Sequence, residues 1–184
     1  MLLILSCCTQ KEHASPGDLL FDLLYLPGRK ISTITLESFE NKANLVCFLR
    51  RRSNLTEYTH VHIIGRGDIS CGGDGTLRLP RGTMRAGDFP DQCFDSTTVS
   101  LSSCSLGQNC YSEAFIHRTS PESIISPQRS IALREETMFY SMYYYEVLCQ
   151  GLQPKAAFER SRDFFNYTFS GEFEFTETEE IPCR

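Results

Sequence analysis

Several features that would place the chain in a common functional class are missing from its sequence. Positive charge is not in excess, since 23 acidic residues outnumber 18 basic ones and the formal net charge is −5. A general nucleic-acid-binding protein normally shows a basic surface instead. No segment approaches the roughly twenty consecutive apolar residues that a membrane-spanning helix needs. We therefore expect neither nucleic acid nor a membrane among the partners of this chain.

Signatures of metal and nucleotide binding are also missing. Cys71, Cys93 and Cys110 do not have the paired C-x-x-C spacing that is typical of a structural zinc site. The glycine-rich stretch 71–75 resembles a phosphate-binding loop only loosely, because no lysine is near it and no helix follows directly. The sequence thus predicts no metal and no cofactor.

The nine cysteines form an odd and high count, but the sequence lacks the secretory signal that a disulfide framework would require. Residues 1–8 (MLLILSCC) only faintly resemble a lipoprotein signal. They have no basic region, and their apolar stretch is shorter than the usual seven to fifteen residues. A buried first strand explains these residues better. We expect a reducing cytoplasm, with most cysteines packed as small hydrophobic side chains.

Short apolar runs alternate with longer helical patterns along the chain, which is typical of an α/β sheet with crossover helices. The predicted strands are 2–6, 30–36, 60–64, 97–103 and 123–126, and the predicted helices are 19–26, 40–52, 110–117, 135–149 and 154–165. Residues 70–96 are predicted to be a loop with a hairpin around 76–79. We expect one domain over 1–168, followed by an acidic segment, 169–184, that is either a tail or an edge strand.

Two of the predicted strand ends carry unusual chemistry. The strand 60–64 runs into Gly65-Arg66-Gly67-Asp68, and the strand 97–103 runs directly into Cys104. Catalytic groups gather at the carboxyl ends of strands in open parallel sheets. A thiol at a strand end, followed by a small glycine-containing turn, is held firmly while its sulfur stays open to substrate. Such a thiol becomes a nucleophile once a base or a positive charge favours its deprotonation.

These strand ends resemble signatures of the CHAT family, the caspase-fold cysteine peptidases related to separase. Residues 62–67 (HIIGRG) match an H-x-x-G-H-G-like signature, and residues 102–107 (SSCSLG) match an S-A-C-x-x-G-like signature. The similarity continues through 125–127, 139–140 and 148–158, and it spans roughly residues 1–165. The resemblance implies a caspase-like three-layer sandwich, in which helices cover both faces of a mostly parallel sheet.

The resemblance also implies the roles of individual residues. Cys104 would be the nucleophile, and the backbone N–H groups of Gly67 and Cys104 would form the oxyanion hole. Arg66 stands where the family has its catalytic histidine. A guanidinium stays protonated, so it can lower the pKa of a thiol but can neither accept the thiol proton nor protonate the departing amine. We therefore expect weak or absent proteolysis of a peptide or protein substrate.

An alternative from another functional class stays open. The alternative interpretation is a pseudo-peptidase whose groove binds a peptide or protein partner, in a regulatory or defence role. Members of the CHAT family often work with attached sensor domains, and 184 residues leave no room for one. Any sensing would then come from a regulatory partner protein.

Other residues near the motifs have competing interpretations. His13, after the first strand, is the candidate that could replace the missing base. His60 and His62 are predicted to be packed strand residues, since His62 lies roughly 13 Å from the expected position of the base at about 3.3 Å per residue. His117, on a predicted helix, is expected to be structural. Asp68 could bind a basic substrate side chain or could simply cap a turn.

Overall fold

The computed structural model describes residues 1–8, 16–25, 34–51, 55–69, 75–103, 106, 110–166 and 173–178. Its strands are β1 (Leu2–Ser6), β2 (Ile34–Ser38), β3 (His60–Ile64), β4 (Arg66–Ile69), β5 (Gly75–Leu79), β6 (Gly82–Met84), β7 (Thr98–Ser102), β8 (Ser123–Pro127) and β9 (Phe173–Glu177). Its helices are α1 (Pro16–Leu24), α2 (Lys42–Arg50), α3 (Cys110–Thr119), α4 (Leu133–Leu148) and α5 (Pro154–Asn166).

Six strands form the main sheet, in the order β2-β1-β3-β7-β8-β9. All neighbouring pairs are parallel except β8 and β9, which are antiparallel. Strands β4, β5 and β6 form a separate antiparallel sheet that leaves the main sheet after β3. The prediction of an α/β fold with a mostly parallel sheet is confirmed. We refer below to the end of the sheet where β1, β3, β7 and β8 finish as the carboxyl edge.

The side chains of β1 show why the sheet is covered on both faces. Successive strand residues point to opposite faces. Leu3 and Leu5 belong to a core shared with α2 and α3, whereas Leu2 and Ile4 belong to a second core shared with α1, α4 and α5. Because the strand is buried on both faces, its sequence is continuously apolar instead of alternating. Helix, sheet and helix layers therefore form a three-layer sandwich.

The aromatic residues of α4 fill the second core. Phe139, Tyr140, Tyr143 and Tyr144 are all 0% exposed, as expected for a helix that is apolar nearly all round. Tyr145, which completes the run, is 38% exposed and lies on the outer surface. The predicted burial of this helix is thus confirmed, with one aromatic residue left accessible.

Three segments differ from the expectation or decide between alternatives. Residues 65–68 were expected to be a strand end, but Arg66–Ile69 is itself strand β4. The expected hairpin around 76–79 exists as β5 and β6, so much of the segment 70–96 is structured. The acidic segment contains an edge strand, since Phe173–Glu177 pairs with β8.

Five cysteines have described side chains, and all five are free thiols. Cys7 and Cys93 are buried, Cys8 is half-buried, and Cys47 and Cys149 are exposed. The expectation that most cysteines act as buried hydrophobic residues therefore holds for two of these five. None of the helices in the described ranges combines the length and apolar character that crossing a membrane would take.

Candidate functional site

The two motif-bearing strand ends lie side by side at the carboxyl edge. Strands β3 and β7 are parallel neighbours, and Ile64 is in register with Ser102. Beyond them, the Gly65 N–H donates a hydrogen bond to the Ser102 carbonyl, at 3.0 Å. The Ser103 hydroxyl donates one back to the Gly65 carbonyl, also at 3.0 Å. The residues that precede Arg66 and Cys104 are therefore tied to each other.

Close packing explains why Gly65 stands at the junction between the two sheets. A Cβ atom there would collide with the Leu77 side chain of β5 and would lie 3.3 Å from the Cβ atom of Cys7. The Cys7 N–H also donates to the Ile64 carbonyl, at 2.7 Å, so β1 and β3 stay paired to their ends. Glycine at position 65 thus allows β5 to pack over the end of β3.

The proposed nucleophile, Cys104, lies outside the described residues, as does His13. Ser103, the residue before Cys104, is buried and hydrogen-bonded to Gly65. Ser103 is thus the last residue before Cys104 that the structure describes.

Arg66 begins strand β4 and is exposed to solvent. It lies opposite Arg78 of β5, and Gly67 lies opposite Leu77. Asp68 does not cap a turn, because it is a strand residue whose Oδ2 lies 3.4 Å from the Arg78 Nε. Both partners of that ion pair are about half exposed, so the carboxylate remains accessible.

The strand histidines are packed residues, as predicted. His62 is fully buried and His60 is 5% exposed. Burial lowers the pKa of His62 to about 3 and the pKa of His60 to about 4. Both rings are therefore neutral near pH 7. His117 is exposed on α3, away from any core.

The ring of His62 links α4 to the end of β7. Its Nδ1 lies 2.9 Å from the Tyr144 hydroxyl, and its Nε2 lies 2.6 Å from the Ser102 hydroxyl. The rings of Tyr140 and Tyr144 pack against it, with centroid distances of 4.3 and 5.5 Å. His62 is thus held in place by hydrogen bonds at both ring nitrogens.

Glu136, in the first turn of α4, is a site residue that the sequence analysis missed. It is only 6% exposed, and its Oε1 is buried without a hydrogen-bond partner in the described part of the chain. Burial raises the pKa of this carboxyl to about 7, opposed by a hydrogen bond from Ser102. Glu136 in turn raises the pKa of the Cys8 thiol, after burial of that thiol itself. The signal in the sequence was its spacing from Tyr140 and Tyr144, four and eight residues on, along one helix face.

When Glu136 is ionised, these contacts define the direction of each hydrogen bond. A carboxylate only accepts, so the Ser102 O–H donates to ionised Glu136. The Ser102 oxygen then accepts from His62 Nε2–H, which leaves His62 Nδ1 to accept from the Tyr144 O–H. A buried chain of four side chains therefore leads from α4 across β3 to β7 and back to α4. We call the side chains of Glu136, Ser102, His62 and Tyr144 the buried polar chain.

The other buried glutamate of α4 provides a contrast. The Glu146 Oε1 lies 3.4 Å from Arg160 Nε of α5, so its charge has a cationic partner. No such ion pair involves Glu136 among the residues that the structure describes. Uncompensated burial is the reason why the pKa of Glu136 is raised.

Two surface concavities lie away from the carboxyl edge. A cavity of about 620 Å³ lies at the amino ends of β7 and β8, and its charged lining includes Lys155 and Glu177, which are paired at 3.3 Å. A more apolar groove of about 400 Å³ lies between α1, α4 and α5. Its exposed lining residues include Leu23, Tyr145 and Phe164.

No protein-family model matches the chain, and no curated protein matches it. The geometry of the carboxyl edge is therefore the basis for the function proposed below.

Proposed function

We propose that the chain is a CHAT-type, caspase-like cysteine peptidase domain with Cys104 as its nucleophile and Arg66 in the position of the catalytic histidine. The expected consequence is weak or absent proteolysis. Peptides or proteins are the substrates, and the backbone N–H groups of Gly67 and Cys104 form the oxyanion hole. Asp68 contributes to binding a basic substrate side chain.

One observation carries this proposal. The two segments that resemble CHAT signatures are 40 residues apart in the sequence, yet they end on adjacent parallel strands with Ile64 in register with Ser102. The resemblance requires the motifs to meet at one edge of a sheet with helices on both faces. The hydrogen bonds between Gly65 and the Ser102–Ser103 pair support that meeting.

The chemistry of Arg66 sets the expected level of activity. A guanidinium can favour the thiolate of Cys104 electrostatically, but it cannot take or return a proton at neutral pH. Amide cleavage requires a proton on the departing nitrogen. The thiol is therefore expected to react with alkylating reagents, whereas peptide turnover is slow.

Restoring the histidine tests the proposal. General acid–base catalysis contributes about 10²–10⁴-fold, so Arg66→His should raise cleavage of fluorogenic peptides by about 100-fold or more. These fluorogenic peptides carry arginine, lysine or aspartate at the cleavage position. Arg81→His, an equivalent change of an exposed arginine beyond β5, should leave activity unchanged. The gain should vanish in the double variant with Cys104→Ala.

Two results would change the conclusion. Rapid peptide turnover by the unmodified protein, lost on Cys104→Ala, would contradict weak catalysis. If Arg66→His remains inactive while iodoacetamide still labels Cys104, the groove has lost its catalytic geometry. That result would favour the second candidate function.

The second candidate is a pseudo-peptidase that binds a protein partner in a regulatory or defence role. The observation that favours it is the apolar groove between α1, α4 and α5, where Leu23, Tyr145 and Phe164 are 43%, 38% and 54% exposed. Exposed clusters of large apolar side chains are typical of interaction surfaces. In this role, a partner with its own regulatory domain would supply the sensing.

A cytoplasmic location fits both candidates. All five cysteines with described side chains are free thiols, and Cys7 and Cys8 are adjacent at the carboxyl edge. Structural disulfides are rare in reducing compartments. We therefore propose that the chain works in the cytoplasm.

A further inference from the structure

The helical layer formed by α1, α4 and α5 concentrates the exposed apolar side chains of the protein. Within the described part of the chain, the large apolar residues that are exposed all lie in these helices or directly after α1: Leu19, Leu23, Tyr25, Met138, Tyr145 and Phe164. The layer formed by α2 and α3 on the opposite face of the sheet contributes none of them. An exposed apolar surface that is confined to one side of a protein typically marks an interaction site.

Most of these side chains border the apolar groove between the three helices. Helix α4 lies in the middle, because α1 packs against β1 and β2 at one side of the sheet and α5 packs against β9 at the other. The groove has a volume of about 400 Å³, and its lining includes Leu23, Met138, Tyr145 and Phe164. Phe164 is the most exposed of these four, at 54%. The surface therefore combines a hollow with a prominent aromatic side chain beside it.

We propose that a second copy of this chain covers the groove, so that the protein forms a two-fold symmetric dimer through its α1, α4 and α5 layer. In such a dimer the same surface serves on both copies, and each contact occurs twice. Phe164 of each copy enters the groove of the other. This inference goes beyond the proposed peptidase function and does not depend on it. It assigns the groove to a second copy instead of a different regulatory protein.

The amount of exposed apolar surface suits a dimer. An aromatic side chain buries roughly 150–250 Å² when fully covered, and leucine and methionine bury somewhat less. The side chains around the groove are 38–54% exposed, so Leu19 and the four lining residues together present on the order of 400 Å². A standard dimer buries about 800 Å² on each copy, of which about 65% is apolar in homodimers. The exposed apolar surface therefore supplies most of what a dimer of standard size needs.

The charges of the two outer helices complement each other across this dimer. Helix α1 carries Asp18 and Asp22 and no basic residue. Helix α5 carries three basic and two acidic residues, and the Arg160 side chain is 63% exposed. When α5 of one copy lies along the groove of the other, its net positive charge comes close to the acidic α1. The same acidic helix, together with the formal net charge of −5, disfavours an anionic lipid surface as the occupant.

Two exposed thiols on opposite helical layers test the dimer in the unmodified protein. Cys149 lines the groove, whereas Cys47 lies on α2. Their rates of alkylation by iodoacetamide are measured by peptide mass spectrometry, from submicromolar to several hundred micromolar protein. Sedimentation equilibrium of the same samples gives the fraction of monomer. The alkylation rate of Cys149 should fall in proportion to that fraction, because the dimer covers the groove, and the rate of Cys47 should stay constant.

Phe164→Asp tests the contact at the centre of the interface. The added charge should raise the dissociation constant of the dimer by about 30-fold or more, as expected for loss of an interface hot spot. Rapid alkylation of Cys149 should return at the same time. Tyr25→Asp is the matched control, since Tyr25 is an exposed aromatic residue of the same layer that does not line the groove. It should change the dissociation constant by less than about threefold.

Three results would overturn the proposal. A protein that stays monomeric at several hundred micromolar, with Cys149 equally reactive at all concentrations, would leave the groove to a different protein. A dimer that protects Cys47 but not Cys149 would place the interface on the α2 layer. Equal dissociation constants for folded F164D and the unmodified protein would exclude Phe164 from the interface. The comparison of the two thiols needs no substitution, so it remains decisive if F164D does not fold, and none of these results affects the Arg66→His test of the peptidase.

Discussion

At the scale of single residues, the carboxyl edge depends on polar side chains that are buried without charge. His62 and Tyr144 are fully buried, and each satisfies the other at 2.9 Å. A buried polar group costs little when it is hydrogen-bonded, but it carries the full desolvation penalty when its partner is removed. The buried polar chain is therefore sensitive to loss of any one hydroxyl.

Tyr144→Phe is expected to destabilise the protein by about 1–3 kcal/mol, because it leaves His62 Nδ1 without its hydrogen-bond partner. Tyr145→Phe is the matched control. That hydroxyl is at the surface, where Gln150 Nε2 donates to it at 2.8 Å, and its loss should cost less than about 0.5 kcal/mol. Urea unfolding of both variants measures the difference. Equal losses would mean that the bond between His62 and Tyr144 contributes nothing to stability.

At the scale of secondary-structure elements, the junction between β3 and β4 joins the two sheets. Three contacts converge on Gly65: its hydrogen bonds with the Ser102–Ser103 pair, the Leu77 side chain over it, and Cys7 beside it. The register of β4 and β5, and therefore the position of Arg66, depends on how closely the Leu77 side chain approaches Gly65.

Gly65→Ala should destabilise the protein by about 1–3 kcal/mol, because the added methyl group overpacks against Leu77. Gly87→Ala provides the control, since a Cβ atom at Gly87 meets no atom within 4 Å. Guanidinium unfolding of both variants gives the comparison. If Gly65→Ala is as stable as Gly87→Ala, β5 is free to shift, and the site does not require a glycine at this junction.

Some of these elements were predictable and others were not. Strand β1 and helix α4 follow from stretches rich in apolar residues, because burial on both faces leaves a strong local signal. Strands β3 (HVHII) and β7 (TVSLS) follow from short runs that contain β-branched residues. Strand β4 was missed because two glycines lower the strand propensity of Gly65–Asp68, and its partner β5 begins only at Gly75. That pairing is set by tertiary packing over Gly65, which local sequence does not report.

The candidate site was predictable to a similar extent. The meeting of Gly65 with Ser102 and Ser103 followed from strand-end chemistry in a parallel sheet. Glu136 did not follow, because acidic residues in the first turn of a helix are ordinary and favour the helix dipole. Whether Glu135 or Glu136 is buried depends on the rotation of α4 against the sheet, which only the packed structure defines.

At the scale of the whole molecule, two sets of buried groups make stability depend on pH in opposite directions. The pKa values of His60 and His62 are lowered from 6.5 to about 4 and about 3. The unfolded chain therefore binds protons that the folded chain does not, and stability falls as pH falls below about 6.5. The pKa of Glu136 is raised from 4.5 to about 7, so the folded chain binds the extra proton. Its contribution to stability is lost as pH rises from 4.5 through 7.

Between pH 5 and 6 the two histidines and Glu136 all contribute to the pH dependence of stability. Removing the Glu136 contribution should therefore expose the contribution of the histidines. In this pH range the unfolded chain binds about two more protons at the histidines, and the folded chain binds about one more proton at Glu136. The unfolded chain therefore binds about one more proton overall, so the free energy of unfolding should rise by about 1.4 kcal/mol per pH unit. Glu136→Gln removes the opposing proton, and the slope should steepen to about 2.7 kcal/mol per pH unit. Glu135→Gln should keep the original slope. Urea unfolding at half-unit pH intervals measures all three slopes. Equal slopes in E136Q and the unmodified protein would mean that Glu136 is already ionised in the folded state at pH 5.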